Sequence, residues 1–328
     1  HAICEGKLVV KTKTVVKSAC KALCSVLVKF YILLVLSSSA FAQSEEFRLL
    51  DNNTLWQLRE SIPVQFDTYH PQGLTRVGDY FYLSSVEVRE QPVAVTDQEF
   101  DRSTGAGIAH LFKFDLEGAL IDQVQLGEGS LYHPGGIDFD GESIWIAVAE
   151  YRPDSQSIVY RVNPVSLQAE EVLRFDDHLG AIVFDPEGLK LHGVSWDSRD
   201  FYSWDYYTME DGDSSIMISP VKTRHTSSRI AYQDCQFMGS SEMICSGIGN
   251  TTIDNTHTLT IGGIELLDLN SHSIEHRLSA FATTASGEFM VRNPSYLEFH
   301  ESGANLFYFL PEVNTSNLYI YEVTPVLN

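Results

Sequence analysis

Between residues 55 and 323 the chain is built of short runs rich in Val, Ile, Leu, Tyr, Phe and Trp, in which apolar and polar positions alternate. Most of these runs end in Gly, Asp, Asn or Pro. A period of two places successive side chains on opposite faces of a strand, and the ending residues are those that turn a chain. Helical periodicity is almost absent, so the pattern predicts strands throughout.

The runs repeat. His70-Pro71-Gln72-Gly73-Leu74 and the strand after it align without a gap on His133-Pro134-Gly135-Gly136-Ile137 and its sequel. Weaker copies start at His178, Ala231 and Asn293, which puts the alignment anchors at Leu74, Ile137, Ile182, Cys235 and Leu297. The copies continue with a second strand (80–87, 143–150) and a hairpin of two outer strands (111–115 with 120–126, 158–162 with 170–175, 264–269 with 273–278). The fifth copy stops after its third strand, 318–323, and residues 55–64 are the candidate for the missing outer one. Four-stranded repeats whose last member is completed from the other end of the chain describe an all-β fold, a β-propeller closed by an N-terminal outer strand. Closure removes free sheet edges. The visible copies predict five blades, with six as the alternative if an insertion hides one. Residues 43–328 are then a single propeller domain.

Two of these motifs carry a resemblance. Gln72-Gly73-Leu74, and the run from Leu191 through Trp196 to Trp204, resemble parts of the plant-type glutaminyl cyclotransferases. The pattern as a whole resembles the secreted propellers of the gluconolactonase-like group. The resemblance covers most of residues 55–323 and implies an uncharacterised secreted propeller family close to these two. The chain departs from both patterns. At the start of the second repeat His133-Pro134-Gly135-Gly136-Ile137 stands where the cyclotransferases carry Gly-Glu-Gly. The Glu and Asn metal ligands of the gluconolactonase-like group have no clear counterpart, so neither activity is carried over.

Residues 1–42 break the strand pattern. They hold six lysines and one acid, then an apolar run at 30–36, then Ala40-Phe41-Ala42. This is the layout of a secretory signal peptide, and its apolar run is too short to span a bilayer. Residue 1 is not Met, so part of this segment is read as an N-terminal extension. A periplasmic or extracellular location is expected. The whole chain carries −22, and because residues 1–42 contribute +5, the rest carries −27. Such acidity repels nucleic acid and anionic membrane surfaces. The expected partner is a small polar molecule, with no nucleic acid, no membrane span once the signal is removed, and a monomeric state. Outside residues 1–42 the cysteines are Cys235 and Cys245. With Gly239-Ser240-Ser241 as a hairpin turn they face each other directly, within reach of a disulfide that an exported protein can keep.

In a propeller the first strand of each blade lines the central channel, and it starts on the face where the second strand ends. Four residues before the anchors stand His70, His133, His178, Ala231 and Asn293. The second-strand ends bring Glu87 and Arg89, Glu150 and Arg152, Trp196, Asp197 and Arg199, Asn250, and Glu312. This set fits a divalent metal held by His70, His133 and His178. It equally fits a metal-free site. There His70, His133, His178, Glu87 and Glu150 are acid–base groups, and Arg89, Arg152, Trp196, Arg199, Asn293 and Glu312 bind the ligand. Neighbouring carboxylates are expected to raise the imidazole pKa values. A third reading is structural: proline holds the residue before it extended, and each imidazole bonds a carbonyl at a blade junction. The long connection 88–107 is expected at the same face, as a lid or specificity loop. Residues 138–142 and 210–213 look like fragments of calcium loops but read as turns. The expected function is an exported hydrolase, lyase or cyclotransferase acting on a small polar substrate. The alternative is a non-catalytic propeller of the cell envelope that binds a ligand or protein.

Overall fold

The computed structural model describes residues 43–96, 100–208, 214–216, 219–225, 229–253, 257–300 and 302–326. The signal-like segment and the acidic stretch 210–213 lie outside them. Residues 43–48 are helical, and almost everything after them is strand and turn. Strand β1 is Leu55–Pro63. A first unit follows: β2 (His70–Val77), β3 (Tyr80–Glu90), β4 (Ala106–Asp115) and β5 (Leu120–Leu126). The second is β6 (His133–Phe139), β7 (Ile144–Ala149), β8 (Ser157–Val162) and β9 (Ala169–Phe175). The third is β10 (Leu179–Asp185), β11 (Lys190–Ser195) and β12 (Asp200–Thr208), with β13 (Ser214–Ile216) and β14 (Val221–Arg224) both paired to β12. The fourth is β15 (Ala231–Gly239), β16 (Glu242–Thr252), β17 (Thr258–Asp268) and β18 (Ile274–Ser279). The last is β19 (Ser295–Glu298), β20 (Asn305–Phe309) and β21 (Asn317–Thr324).

Within each unit the strands pair antiparallel with their neighbours in sequence, except that β14 pairs with β12. The last unit is completed by β1, which pairs antiparallel with β21 from Leu55–Thr324 to Pro63–Asn317. The protein is therefore a β-propeller closed by its N-terminal outer strand, as residues 55–64 predict. Apolar side chains fill the joints between adjacent units. Tyr82 and Ile146 lie between the first and second, Trp145 and Trp204 between the second and third, and Phe201 and Met243 between the third and fourth. Leu266 and Phe307 lie between the fourth and last, and Phe81 and Tyr308 between the last and first. Phe47 of the helical segment and Leu50 just after it are fully buried in the joint of the fourth and last units. No helix among the described residues is long and apolar enough to cross a membrane.

The hairpin register predicted for β15 and β16 is present. Cys235 pairs directly with Cys245, and the two form a disulfide. The calcium-like segment 138–142 is a turn: Asp140 accepts the Glu142 and Ser143 N–H groups and the Trp145 indole N–H.

The inner strands crowd at the axis, which explains the glycines of the repeat motif. A Cβ on Gly73 would lie 2.5 Å from the Ile137 nitrogen, and one on Gly135 2.3 Å from the Gly180 oxygen. Asp234 spans the axis from β15. Its carboxyl accepts the Leu74 N–H at 2.7 Å and the Ile137 N–H at 3.0 Å. Asp138 of β6 returns the contact by accepting the Phe237 N–H at 2.9 Å. These bonds tie the first, second and fourth units together under the cavity described next.

Candidate functional site

At the end of the axis where β2, β6, β10 and β15 begin, a cavity of about 210 Å³ opens. Its walls include His70 and Gln72 from the first unit, His133 and Tyr151 from the second, and His178, Gly180, Ser195, Trp196 and Asp197 from the third. Ala231, Tyr232 and Gln233 come from the fourth. His70 with Gln72, His178 with Gly180, and Ala231 with Gln233 are pairs two residues apart, as strand alternation requires of side chains on one face. Each of these four strands also carries a register shift at the same place in its repeat: Pro71/Gly73, Pro134/Ile137, Leu179/Ala181 and Tyr232/Asp234. Such bulges bend a strand and re-aim its side chains.

The histidine ring is assembled. The His133 ring lies 6.5 Å from that of His70 and 5.7 Å from that of His178. Tyr151 stacks on His133 at 4.1 Å, and Trp196 stands edge-on to His178 at 4.7 Å. The three imidazoles differ in their bonding. His178 Nδ1 donates to the Glu150 carbonyl at 2.8 Å, and its ring also meets the Arg152 backbone. His70 bonds the Asn293 side chain, whose Nδ2 donates to the Pro311 carbonyl at 2.8 Å. His133 is 6% exposed, and neither of its ring nitrogens has a partner. The Gln72 amide nitrogen, equally buried, is also unpartnered.

The electrostatics reverse the sequence expectation. Burial lowers all three imidazole pKa values: His133 well below the usual range, His178 to about 4, and His70 also downward. The neighbouring histidines lower His133 further, as Arg292 does for His70 and Arg199 and Arg102 do for His178. The rings are neutral near pH 7, because the carboxylates expected to hold their protons point elsewhere. Glu150 is buried, and its oxygens take the Ser130 hydroxyl and the Arg152 guanidinium. Glu87 bonds Arg89 and His110. Glu312 accepts the Asn317 N–H and the Tyr319 hydroxyl. Arg199 reaches Asp154 and the Trp196 carbonyl.

Thus His70, His133, His178 and Trp196 line the cavity and Asn293 supports its wall. Glu87, Glu150, Arg89, Arg152, Arg199 and Glu312 are not part of its wall. Among the described residues no group of three His, Cys, Asp or Glu side chains is placed to hold a metal ion. His70, His133 and His178 face one cavity, with the His133 ring 6.5 Å and 5.7 Å from the other two, but they are not drawn together into such a group. The connection 88–107 does lean on the site's surroundings. Its Phe100 lies 3.5 Å from the Arg152 guanidinium, and its Arg102 lies 5.1 Å from the Trp196 ring. Sequence reasoning missed Tyr151, Gln72, Tyr232 and Gln233 as wall residues. Gln72 and Gln233 were detectable as a second ring, two positions after the histidine ring.

A β-propeller with an axial pocket of neutral imidazoles, amides and aromatic rings is the class of protein these features define. The chain belongs to the DUF6454 family, a family of unknown function, matching it over residues 31–327. No curated protein matches the chain. Among solved structures it is similar to the tail fibre of a Staphylococcus aureus phage, at 7% identity and a TM-score of 0.45, covering 84% of this chain and 54% of that one. The chain thus spans about half of the tail fibre's length. It is similar to luciferin-regenerating enzyme at 7% identity and a TM-score of 0.45, covering 83% of this chain and 95% of that one. It is similar to a β-propeller domain from Myceliophteria thermophila at 11% identity and a TM-score of 0.36, covering 82% of this chain and all of that one.

Proposed function

We propose that the protein is an exported, monomeric β-propeller whose axial cavity binds a small uncharged polar molecule without a metal ion. One observation carries the reading: His133, buried in the cavity wall, leaves both ring nitrogens without a partner. Buried polar groups are nearly always satisfied, and an orphan at a cavity wall marks a place where a ligand completes the bonding. Charge supports an uncharged ligand. Arg89, Arg152 and Arg199, the cations first expected there, are paired with Glu87, Glu150 and Asp154. The layout of residues 1–42 and the disulfide support export.

A catalytic reading comes second. His133 is the free base at neutral pH and can accept a proton from a bound substrate, as a weak base, because the burial that keeps it neutral also disfavours the imidazolium.

The test is thermal unfolding of the protein without residues 1–42 in the presence of a panel of small uncharged, anionic and cationic compounds. At a concentration of about 100 times Kd, a ligand stabilises by about 2.7 kcal/mol. At least one uncharged polar compound is expected to raise the Tm of the wild type. His133→Ala and the volume-keeping His133→Gln are expected to lose that rise. A shift retained in both variants refutes the site, and stabilisation by ionic compounds alone refutes the uncharged ligand.

A further inference from the structure

We infer that the ligand of the axial cavity is an uncharged hydroxylated ring, a monosaccharide or a cyclitol. This rests on the reading of the cavity as a ligand site and narrows it.

The donors and acceptors of the wall set the first condition. A neutral imidazole offers one donor and one acceptor nitrogen, so His133 with both nitrogens free asks for ligand groups that accept and donate. The free Gln72 Nε2 is a donor and asks for an acceptor. A carboxylate or phosphate, which only accepts, leaves the imidazole lone pair facing it unsatisfied. An ammonium, which only donates, leaves the Gln72 amide unsatisfied. A hydroxyl does both.

The shape of the wall sets the second. One side is a continuous aromatic surface of His133, Tyr151, Trp196 and His178. Tyr151 stacks on His133, and the Tyr151–Trp196 and His178–Trp196 ring pairs lie at 6.1 Å and 4.7 Å. Their planes are tilted by 43° and 77°, so Trp196 forms no parallel-sided slot with either ring to grip both faces of a flat heterocycle. The amides Gln72 and Gln233 come from other units of the propeller. A ligand with C–H bonds on one face and hydroxyls around its edge matches this division, because the faces of aromatic rings are negative and attract the positive ends of C–H bonds. A cavity of about 210 Å³ holds one such ring rather than a chain of them.

The third condition is charge. The charged side chain of the wall is Asp197, which is exposed at the rim. Arg102, over Trp196, is paired with Asp101 at 2.8 Å.

The experiment is titration calorimetry of the protein without residues 1–42 against glucose, galactose, mannose, xylose and myo-inositol. Glucuronate tests added charge, and adenine, uracil and acetamide test the competing shapes. Binding of at least one neutral hydroxylated ring is expected, with glucuronate weaker by about tenfold or more. Sugar against inositol binding separates the two sources of the ring. Trp196→Ala and Gln72→Ala are each expected to weaken that binding by about tenfold, and His133→Gln to remove it. Failure of every sugar and of inositol to bind overturns the inference, as does equal binding of glucuronate. Binding of a base or of acetamide alone, lost in His133→Gln, overturns the ring class and leaves the ligand site standing. Sugar binding unchanged in His133→Gln overturns both.

Discussion

His178 is 3% exposed, and its Nδ1–H is spent on the Glu150 carbonyl, so protonation would place an extra charge in a buried position. Its folded pKa of about 4 lies below the 6.5 of an unfolded chain. As pH falls, the unfolded chain takes up the proton first. Stability from this residue is complete above pH 6.5 and is lost as pH falls toward 4, by about 3 kcal/mol in all at 1.36 kcal/mol per pKa unit. His178→Asn keeps a donor for the carbonyl and removes the titration. Denaturant unfolding at pH 7 and pH 4.5 is expected to show a smaller acid loss in the variant than in the wild type. Equal losses in both would show that His178 is not a neutral buried base. The same residues show what the sequence could reveal of the site. The histidines were legible because each occupies the same repeat position. Their bonding was not, because it depends on the residues two apart at the second-strand ends. Glu150 and Arg152 pair with each other, while Tyr151 between them goes to the cavity. A reading that picks charged residues takes the wrong alternate set.

At the scale of the strand, the repeat motif records crowding as much as chemistry. Strand positions were legible from period-two patterning, and β4, β5, β8, β9, β18 and β21 lie where the alternation puts them. The recurrent bulges were not legible, since an extra residue leaves the apolar pattern intact on both sides of the shift. Nor was the reason for glycine before each of the first two anchors. Gly136 lies against Asp234, where an added Cβ would be 2.7 Å from Oδ1 and 2.8 Å from Cα. Asp234 cannot retreat without releasing the Leu74 and Ile137 amides. Gly136→Ala is therefore expected to destabilise by about 2 to 3 kcal/mol, the cost of overpacking a fixed site. Gly180 is the contrast. A Cβ there meets nothing nearer than 3.6 Å, and Gly180→Ala is expected to stay within about 0.5 kcal/mol of the wild type. Denaturant midpoints of the two variants measure the difference, and equal midpoints would remove the crowding argument.

Over the whole molecule, the rigidity of the cavity depends on a ring that the chain closes only once. The units follow one another along the chain, with a longer connection from Ser279 to Ser295, and residues 64–69 carry the chain from β1 in the last unit to β2 in the first. The last unit is completed by β1, whose pairing with β21 joins opposite ends of the described chain through backbone hydrogen bonds. Phe47 and Leu50 anchor the segment before it, and Arg48 reaches Glu242. Gln57 and Glu322 are directly opposed in the pairing, as Cys235 and Cys245 are in theirs. Replacing both with cysteine is expected to give a spontaneous disulfide that makes the closure covalent. The replacement also removes the Arg59–Glu322 ion pair, which is surface-exposed and worth about 0 to 1 kcal/mol. A bond closing so long a loop restricts the unfolded chain by about 5 to 6 kcal/mol in the chain-entropy limit. The oxidised double variant should therefore unfold at higher denaturant than either single variant. The comparison is made under oxidising conditions, because reduction would also threaten Cys235–Cys245. Failure of the bond to form would contradict the strand exchange. A bond that forms without stabilising would mean that the ring stays closed during unfolding, so that the units come apart at another joint first.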